Sequence, residues 1–202
     1  MKQFRPIDPC TMLCPVPAVM ISCRGITEEK PNIITVAWAG TVNTTPPMVS
    51  VSIRKERYSH HLIQESGEFV VNLVDAAHCR ELDWCGVKSG RDFDKFAEMK
   101  LTAVPAAELQ YAPAIAECPA YLSCRVKSVT ELGSHDMFIG EVVAVRVQEE
   151  LFREDGSMHL EKAGLVCYNH GVYQQAQDVL GFFGYSLARP EVLKKRMAQY
   201  DR

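Results

Sequence analysis

The sequence predicts a mainly β protein with short helices, organised as a closed antiparallel sheet. At least six segments have the β-branched, apolar composition of strands, and they rarely alternate with helical segments, which argues against a doubly wound parallel sheet. Two long strand patterns, at 121–131 and 137–151, surround a turn at 132–136. The second pattern exceeds the usual length of a strand, which indicates a strand that bends around a barrel. Together these patterns predict an antiparallel β-barrel.

Shorter patterns place the remaining elements. Strands are predicted at 19–23, 33–38, 48–53, 69–73 and 165–168. Helices are predicted from an N-cap at Ser59 to a glycine stop at 67, over 76–85, near 94–96, and from Pro190 to Tyr200. Prolines predict an extended arm at 4–17, a stiff polar loop at 41–47 and a covering loop at 101–119.

Length and composition predict one domain and exclude some classes of partner. With 202 residues, 47% of them hydrophobic, the chain can bury one sizeable core but not two large ones. A net charge of -3 indicates no nucleic-acid partner and no anionic membrane surface. The sequence lacks GxGxxG and GxxxxGK[ST] motifs, so a Rossmann or P-loop nucleotide site is unsupported.

The eight cysteines are interpreted as thiols rather than as a disulfide framework. The sequence begins without a signal-type apolar segment and has no run long enough to cross a bilayer, so we expect a cytoplasmic, reduced protein with no membrane contact. Cys10 and Cys14 have no matching second pair, and metal binding is not expected.

The stretch 32–73 carries most of the functional signal. Hydroxyls of Thr35, Ser50 and Ser52 lie on predicted neighbouring strands, where they can bond a flat heterocycle. The basic run at 54–57 leads into the helix that begins near Ser59, which is an arrangement suited to a phosphate. Each part also fits an ordinary surface strand or turn, but a flat polar ring with a phosphate tail describes flavin mononucleotide (FMN).

Four motifs in order resemble the flavin reductase-like group that includes flavoredoxins. They are Asn-x-x-Thr-x-Ala-Trp at 32–38 with its continuation to Gly-Glu-Phe-x-Val-Asn-Leu at 67–73, SGRDFDKF at 89–96, CPAYLSCRV at 118–126 and GSHDMFIGEV at 133–142. The resemblance covers a core at about 15–175, which leaves an arm at 1–14 and a helical tail at 176–202 within one domain over 1–202. It implies an FMN-binding split β-barrel that forms a homodimer, with the flavin near the subunit boundary.

Motif and chemistry together assign roles to the residues of this stretch. Thr35, Val36, Ala37 and Trp38 would line the flavin ring, and Thr41, Asn43, Ser50 and Ser52 would bond its polar edge or the ribityl chain. Arg54, Lys55 and Ser59 would hold the phosphate, with Tyr58 packed nearby. For the pair His60 and His61, we expect one ring near the flavin tail and the other in solvent.

Arg91 and His135 are the predicted catalytic residues, on a loop over the open ring face where NADH or NADPH would deliver a hydride. His135 has an alternative role as a loop histidine that caps a strand end. Ser134 stands where the family often has an acidic residue, which removes a carboxylate that would orient the imidazole.

Three functional hypotheses remain open at this point. The first is an NAD(P)H-dependent flavin reductase or related FMN oxidoreductase. The second is a flavoredoxin-type FMN protein that exchanges electrons with a redox partner protein. The third is a barrel that binds a ligand or metal without redox turnover.

Overall fold

The computed structural model describes residues 3–200, and antiparallel strands dominate it. The strands are β1 (Val16–Pro17), β2 (Val19–Cys23), β3 (Asn32–Val36), β4 (Ala39–Asn43), β5 (Met48–Ile53), β6 (Glu68–Leu73), β7 (Ala103–Pro105), β8 (Pro113–Ile115), β9 (Ala120–Glu131), β10 (Asp136–Val147), β11 (Val166–Asn169) and β12 (Val172–Gln175). The helices are α1 (Tyr58–Ser66), α2 (Cys79–Val87), α3 (Lys95–Met99) and α4 (Pro190–Met197), with 3-10 turns at Ala76–His78, Glu149–Leu151, Leu160–Ala163 and Tyr185–Leu187.

One seven-stranded sheet forms the barrel, in the order β3-β2-β6-β9-β10-β5-β4. Its two edge strands, β3 and β4, follow each other directly in the chain and are separated only by a bend at Ala37 and Trp38. The amide of Ser52 donates to the carbonyl of Trp38 at 2.9 Å, on the far side of this bend. The bend therefore brings the two edges of the sheet together and closes it around the core.

The barrel interior is apolar and tightly packed. Phe69, Phe138 and Ile21 are fully buried in it, together with aliphatic residues of β3, β5 and α1. Gly140 lies opposite Phe69, and a Cβ atom at this glycine would come within 2.5 Å of the phenyl ring. A glycine is required there because the Phe69 ring already fills the space that a side chain would occupy.

A second apolar layer covers the outside of β2 and β3. Met20 and Ile33 are fully buried beneath Leu82 and Cys85 of α2 and Phe96 of α3. Strand β2 is consequently buried on both faces, which explains why its sequence is apolar except at Ser22 rather than alternating. This layer also fixes α2 and α3 beside the end of β3.

The strand pattern from the sequence is confirmed in outline. The strands predicted at 19–23 and 48–53 match β2 and β5, and the helix at Pro190 begins with proline at its first turn. The pairing of β10 with β9 shifts register after Ile139 and again after Val142, which confirms the predicted bend of the long strand.

Two loop predictions were wrong. The polar loop predicted at 41–47 begins instead as an edge strand, because Ala39 to Asn43 pair with β5 and only the following turn is irregular. The covering loop at 101–119 contains the paired strands β7 and β8. The buried carboxylate of Glu68 holds this segment by accepting hydrogen bonds from the backbone amides of Gln110, Tyr111 and Ala112.

The fold contains no helix, within residues 3–200, that is both long and apolar enough to cross a membrane.

Candidate functional site

Two adjoining cavities lie on one side of the barrel, near β3 and the start of α1. The first, the inner cleft, has a volume of about 390 Å³ and is lined by Asn32, Ile34, residues 56–59, residues 88–91 and Lys95. The second, the strand groove, has about 140 Å³ and is lined by residues 34–38, residues 52–54, Arg57 and His135. Because Ile34 and Arg57 line both, the cleft and the groove form one continuous surface.

The start of helix α1 opens into the inner cleft. Arg57 is its N-cap residue, in an extended conformation at φ -72 and ψ 137, and no side chain among residues 3–200 caps the helix. Free amides at the first turn and the positive end of the helix dipole attract an anion. Arg57 also lines the cleft and adds a guanidinium to this end of the helix.

The prediction that Ser59 caps this helix was wrong. Ser59 lies inside the first turn, is 1% exposed, and its hydroxyl accepts a hydrogen bond of 2.8 Å from the amide side chain of Asn32. The hydroxyl therefore ties α1 to β3. Ser59 still lines the cleft, and its backbone amide belongs to the free first turn.

Lys95 is the main functional candidate that the sequence reasoning missed. Its side chain is buried, lines the inner cleft, and donates to the carbonyls of Ile33 at 2.7 Å and Cys85 at 2.6 Å. In the described part of the chain its ammonium has no carboxylate within ion-pair distance. Burial lowers the pKa of Lys95 to about 8, so a bound anion would stabilise its charged form.

The signal for Lys95 was present in SGRDFDKF at 89–96, but a lysine beside a short helix gives no sign of burial. Packing of α2 and α3 against β3 encloses its alkyl chain. Only the assembled layer turns this lysine into a buried cation at the cleft wall.

The loop 88–91 forms another wall of the cleft, beside the start of α1. A Cβ atom at Gly90 would collide with the side-chain amide of Asn32 and come within 2.8 Å of the Tyr58 ring, so a larger residue would displace the wall of the cleft. Arg91 donates from Nη1 to the carbonyl of Glu56 at 2.9 Å, and its guanidinium lies 5.6 Å from the centre of the Tyr58 ring. With Arg57, Lys95 and Arg91 around it, the cleft is cationic.

The strand groove presents mainly the backbone of β3 and of the bend that follows it. The Thr35 hydroxyl donates to the carbonyl of Leu82, and the Val36 side chain is buried in the barrel core. Both residues therefore reach the groove through their main chain. The side chains of Trp38 and Ser52 are half-buried and complete its walls.

His135 lines the groove from the turn between β9 and β10. The amide of Leu132 donates to the carbonyl of His135 at 2.9 Å, and the Ser134 hydroxyl lies 2.9 Å from Nδ1. Burial and the positive charge of Arg54 lower the pKa of His135 below its usual value of 6.5. The imidazole is therefore neutral at pH 7 and retains one ring N–H as a donor.

Four predicted cofactor residues lie outside both cavities. Lys55 pairs with the carboxylates of Glu131 at 2.6 Å and Asp136 at 3.5 Å. The others lie along the edge of the sheet: Asn43 donates to Pro46 at 2.8 Å, Ser50 contacts the Gly40 carbonyl at 3.4 Å, and Thr41 is exposed on β4. The sequence placed Ser50 on a strand and Lys55 in a turn correctly, but it placed Thr41 and Asn43 in a loop rather than on β4, and it could not show which way any of them faced.

Of the two adjacent histidines, one lies in solvent as expected, but the other does not line the cavities. His60 is buried, with Nε2 2.8 Å from the Asp136 carboxylate and its ring edge-on to Phe138 at 5.1 Å. It lies outside the cavities and links α1 to the start of β10. His61 is exposed, and its ring contacts Tyr58 at 4.9 Å.

The joined cleft and groove fit FMN in shape and chemistry. The inner cleft offers a buried cation without an acidic partner in residues 3–200 and free amides of a helix N-terminus, which suit a phosphate. The groove offers flat backbone walls, Trp38 and Ile34, which suit a polar aromatic ring.

Comparison with known proteins identifies the family. The flavin reductase like domain matches residues 11–177. Flavoredoxin of Desulfovibrio vulgaris (Miyazaki F) is 29% identical, with a TM-score of 0.85, over 92% of this chain and 100% of that chain. An FMN-binding protein from Thermus thermophilus, solved with bound 1-cyclohex-2-enone, is 25% identical, with a TM-score of 0.73, over 90% of this chain and 100% of that chain.

Two relatives match by sequence alone over shorter segments. An uncharacterized protein of Archaeoglobus fulgidus is 37% identical over 117 residues, which are 58% of this chain and 66% of that protein. The high molecular weight rubredoxin of Moorella thermoacetica is 32% identical over 113 residues, which are 54% of this chain and 48% of that protein. The match thus spans just under two thirds of the first relative and about half of the second.

The chain belongs to the flavin reductase-like domain family, and its fold is the mainly β split barrel of that family with a helix at the C-terminus. The resemblance seen in the motifs is confirmed.

Proposed function

We propose that this member of the flavin reductase-like family is an FMN-binding oxidoreductase that accepts electrons from NADH or NADPH. The observation that carries the proposal is the continuity of a cationic cleft at a helix N-terminus with a groove of strand backbone, joined at Ile34 and Arg57. FMN has a matching order of parts, with a dianionic phosphate at one end and a flat ring at the other.

The chain would hold the phosphate with three cations and the first turn of α1. Arg57 and Arg91 flank the cleft, while Lys95 supplies a preorganised ammonium that is already fixed by two carbonyls. Charge-assisted hydrogen bonds of this kind are stronger than neutral ones, particularly where water is excluded. Of the residues predicted for the phosphate, Ser59 would contribute its amide and Arg54 its charge near the groove.

Residues of the groove would orient the ring. Backbone groups of 34–38 supply fixed donors and acceptors along one edge, and Trp38 and Ser52 close the ends. Neutral His135 would donate a hydrogen bond to the ring edge, where negative charge develops on reduction. Bound FMN would supply the two-electron chemistry by accepting a hydride from the nicotinamide and passing electrons to an acceptor.

A homodimer is part of this proposal. The turn end of the β9–β10 hairpin carries Val129 and Leu132, which are 39% and 57% exposed in the single chain. Clustered apolar side chains on a strand surface favour burial against another protein. Light scattering on the purified protein tests this, with a dimer mass expected and a monomer mass contradicting it.

The test of the proposed function is reconstitution with FMN followed by anaerobic reduction. We expect the protein to bind FMN with quenching of flavin fluorescence, and the visible flavin band to bleach when NADH or NADPH is added. Failure to bind FMN would refute the flavin assignment itself. If FMN binds but its visible band does not bleach with NADH or NADPH, and bleaches only when dithionite is added, the direct use of a nicotinamide donor is refuted.

The second candidate function is an FMN electron carrier that acts with a redox partner protein. The similarity to the high molecular weight rubredoxin of Moorella thermoacetica and to flavoredoxin of Desulfovibrio vulgaris favours it. Flavin that stays oxidised with NADH but is reduced by a reduced rubredoxin would support this candidate. For the non-redox hypothesis, no group of three or more His, Cys, Asp or Glu within residues 3–200 is arranged to hold a metal.

A further inference from the structure

The turn that carries His135 is exposed, but one buried side chain anchors it. Residues 131–134 are exposed between β9 and β10, and His135 is half-buried at the groove wall. Asp136 follows directly, is 4% exposed, and pairs in register with Glu131 of β9 and Ile53 of β5. Exposed turns with few buried contacts are the mobile parts of a fold. The position of the His135 imidazole therefore depends on how the Asp136 side chain is held.

The buried carboxylate of Asp136 is bound from helix α1. His60 Nε2 lies 2.8 Å from Oδ2, and this nitrogen carries the proton, since an ionised carboxylate only accepts hydrogen bonds. The His60 ring also packs edge-on against Phe138 at 5.1 Å, so the helix contacts two buried residues of β10. Hydrogen bonds to a charged group are among the stronger ones in proteins. The start of β10, and with it the turn, is thereby fixed to α1.

Lys55 contacts the other oxygen of Asp136 and joins the two ends of the turn. Its ammonium lies 3.5 Å from Oδ1 of Asp136 and 2.6 Å from the carboxylate of Glu131, the last residue of β9. Within residues 3–200, Oδ1 has no hydrogen-bond partner, and the charge of Lys55 offsets its own. The Lys55 side chain is 48% exposed, which makes this contact weaker than that of His60. The turn is thus held mainly from inside, through His60.

We propose that His60 and Asp136 are positioning residues that hold the His135 imidazole against the edge of the bound flavin ring. The inference rests on the proposed function, in which the groove holds the ring and His135 donates a hydrogen bond to it. Such a donor stabilises the reduced ring most when it is fixed in place before the negative charge develops. Loss of the contact between His60 and Asp136 should therefore weaken the binding of reduced FMN more than that of oxidised FMN.

The experiment measures the midpoint potential of the FMN-loaded protein at pH 7 in the wild type and in His60→Leu. We expect the ratio of reduced to oxidised FMN affinity to fall about tenfold in the variant, which lowers the potential of a two-electron couple by about 30 mV. His60→Gln should restore the wild-type potential, because its side-chain amide still donates to Asp136. His61→Leu is the matched control and should leave the potential unchanged, since His61 is the next residue of α1 but is exposed and packs against Tyr58.

A double-variant comparison separates positioning from a general structural effect. His135→Ala should lower the midpoint potential by at least as much as His60→Leu. Adding His60→Leu to His135→Ala should then cause no further change, because the residue through which His60 acts is gone. An equal decrease from His60→Leu in both backgrounds would refute the inference.

Lys55→Met tests the same network if His60→Leu does not fold. The variant should fold, because Lys55 is half-exposed and methionine keeps the length of its side chain. We expect the affinity ratio to fall about threefold, less than in His60→Leu, since His60 still holds Asp136. This decrease should also disappear in the His135→Ala background, whereas a long-range effect of the lost charge would persist there.

The outcomes that overturn the inference differ from a failure of the proposed function. FMN that binds with the same midpoint potential in the wild type, His60→Leu and Lys55→Met would show that the network does not position His135. An unchanged potential in His135→Ala would show that His135 does not act on the ring. If FMN itself fails to bind the wild type, the proposed function fails and the inference fails with it.

Discussion

The inner cleft and the strand groove differ in how the chain builds them. The cleft takes its chemistry from the side chains of three separate segments, which carry Arg57, Arg91 and Lys95. The groove takes most of its surface from the main chain of one strand and the bend after it. Side-chain substitutions should therefore change recognition of the phosphate strongly and recognition of the ring weakly.

The largest expected effect is that of Lys95→Met on FMN affinity. Removing a buried charge that bonds a phosphate should weaken FMN binding by about a hundredfold, because charge-assisted hydrogen bonds are worth about 1.5–3 kcal/mol each. The stability of the variant without ligand should change little, because removing a desolvated ammonium offsets the loss of its hydrogen bonds to the carbonyls of Ile33 and Cys85. Fluorescence titration and thermal unfolding measure the two effects.

Lys88→Met is the control for this substitution. Lys88 also lines the cleft, but its side chain is exposed. The FMN affinity of Lys88→Met should therefore differ from that of the wild type by less than about threefold. Equal losses in the two variants would show that burial gives Lys95 no special role.

The second effect is on the pH dependence of stability without ligand. The folded-state pKa of Lys95, about 8, is below its model value of 10.5, so between these values the unfolded chain binds more protons than the folded one. The free energy of unfolding therefore gains a favourable contribution as pH rises from about 8 towards 10.5, of order 3 kcal/mol in total. Denaturant unfolding of the wild type and of Lys95→Met at pH 7, 8, 9 and 10 gives the free energy of unfolding of each protein. The wild-type value minus the variant value isolates the contribution of Lys95, and it should rise as pH increases above about 8.

Gly90→Ala should have the next largest effect on the cleft. The added methyl group would collide with the Asn32 side chain, press on the Tyr58 ring and move loop 88–91. FMN affinity should therefore fall about tenfold and stability by about 1–3 kcal/mol. Gly40→Ala is the control, because a Cβ atom there meets no described atom within 4 Å. A Gly90→Ala protein with unchanged FMN affinity would show that this loop does not shape the cleft.

Arg54→Gln tests how the charge of Arg54 affects His135 in the strand groove. Removing the guanidinium should raise the pKa of His135 towards its usual value, while burial keeps it below 6.5. The imidazole resonances of His135, followed by NMR between pH 4.5 and 8, measure this directly. FMN affinity at pH 7 should change by less than about fivefold, since Arg54 lies in the open and already contacts Glu56 at 3.6 Å.

Ser52→Ala should have the smallest effect. The Ser52 hydroxyl is half-buried at the groove wall, while its amide bonds Trp38 and remains in the variant. We expect FMN affinity to change by less than about threefold. A loss as large as that of Lys95→Met would mean that side chains, rather than the backbone, recognise the ring.

Much of the fold follows from local sequence. The period-two pattern of β5, the proline at the start of α4 and the glycine after α1, at φ 68, each specify an element through short-range geometry. The approximate place of the site also follows, although the strand predicted at 33–38 ends at Val36 and continues as a bend. This segment and the basic turn at 54–57 border the groove and the cleft.

The sequence by itself therefore determined the strands of the barrel other than β4, the family and the stretch of chain that forms the site. Tertiary structure decided which side chains face the cavities. Lys55 forms ion pairs outside them, and the buried His60 contacts the Asp136 carboxylate, whereas Lys95 is buried at the cleft wall. The physical reason is that a strand or helix pattern depends on neighbouring residues, whereas burial and charge pairing depend on segments far apart in the chain. The carboxylates that pair with Lys55 and His60 lie 76 positions away, and the carbonyl of Ile33 that Lys95 bonds lies 62 away.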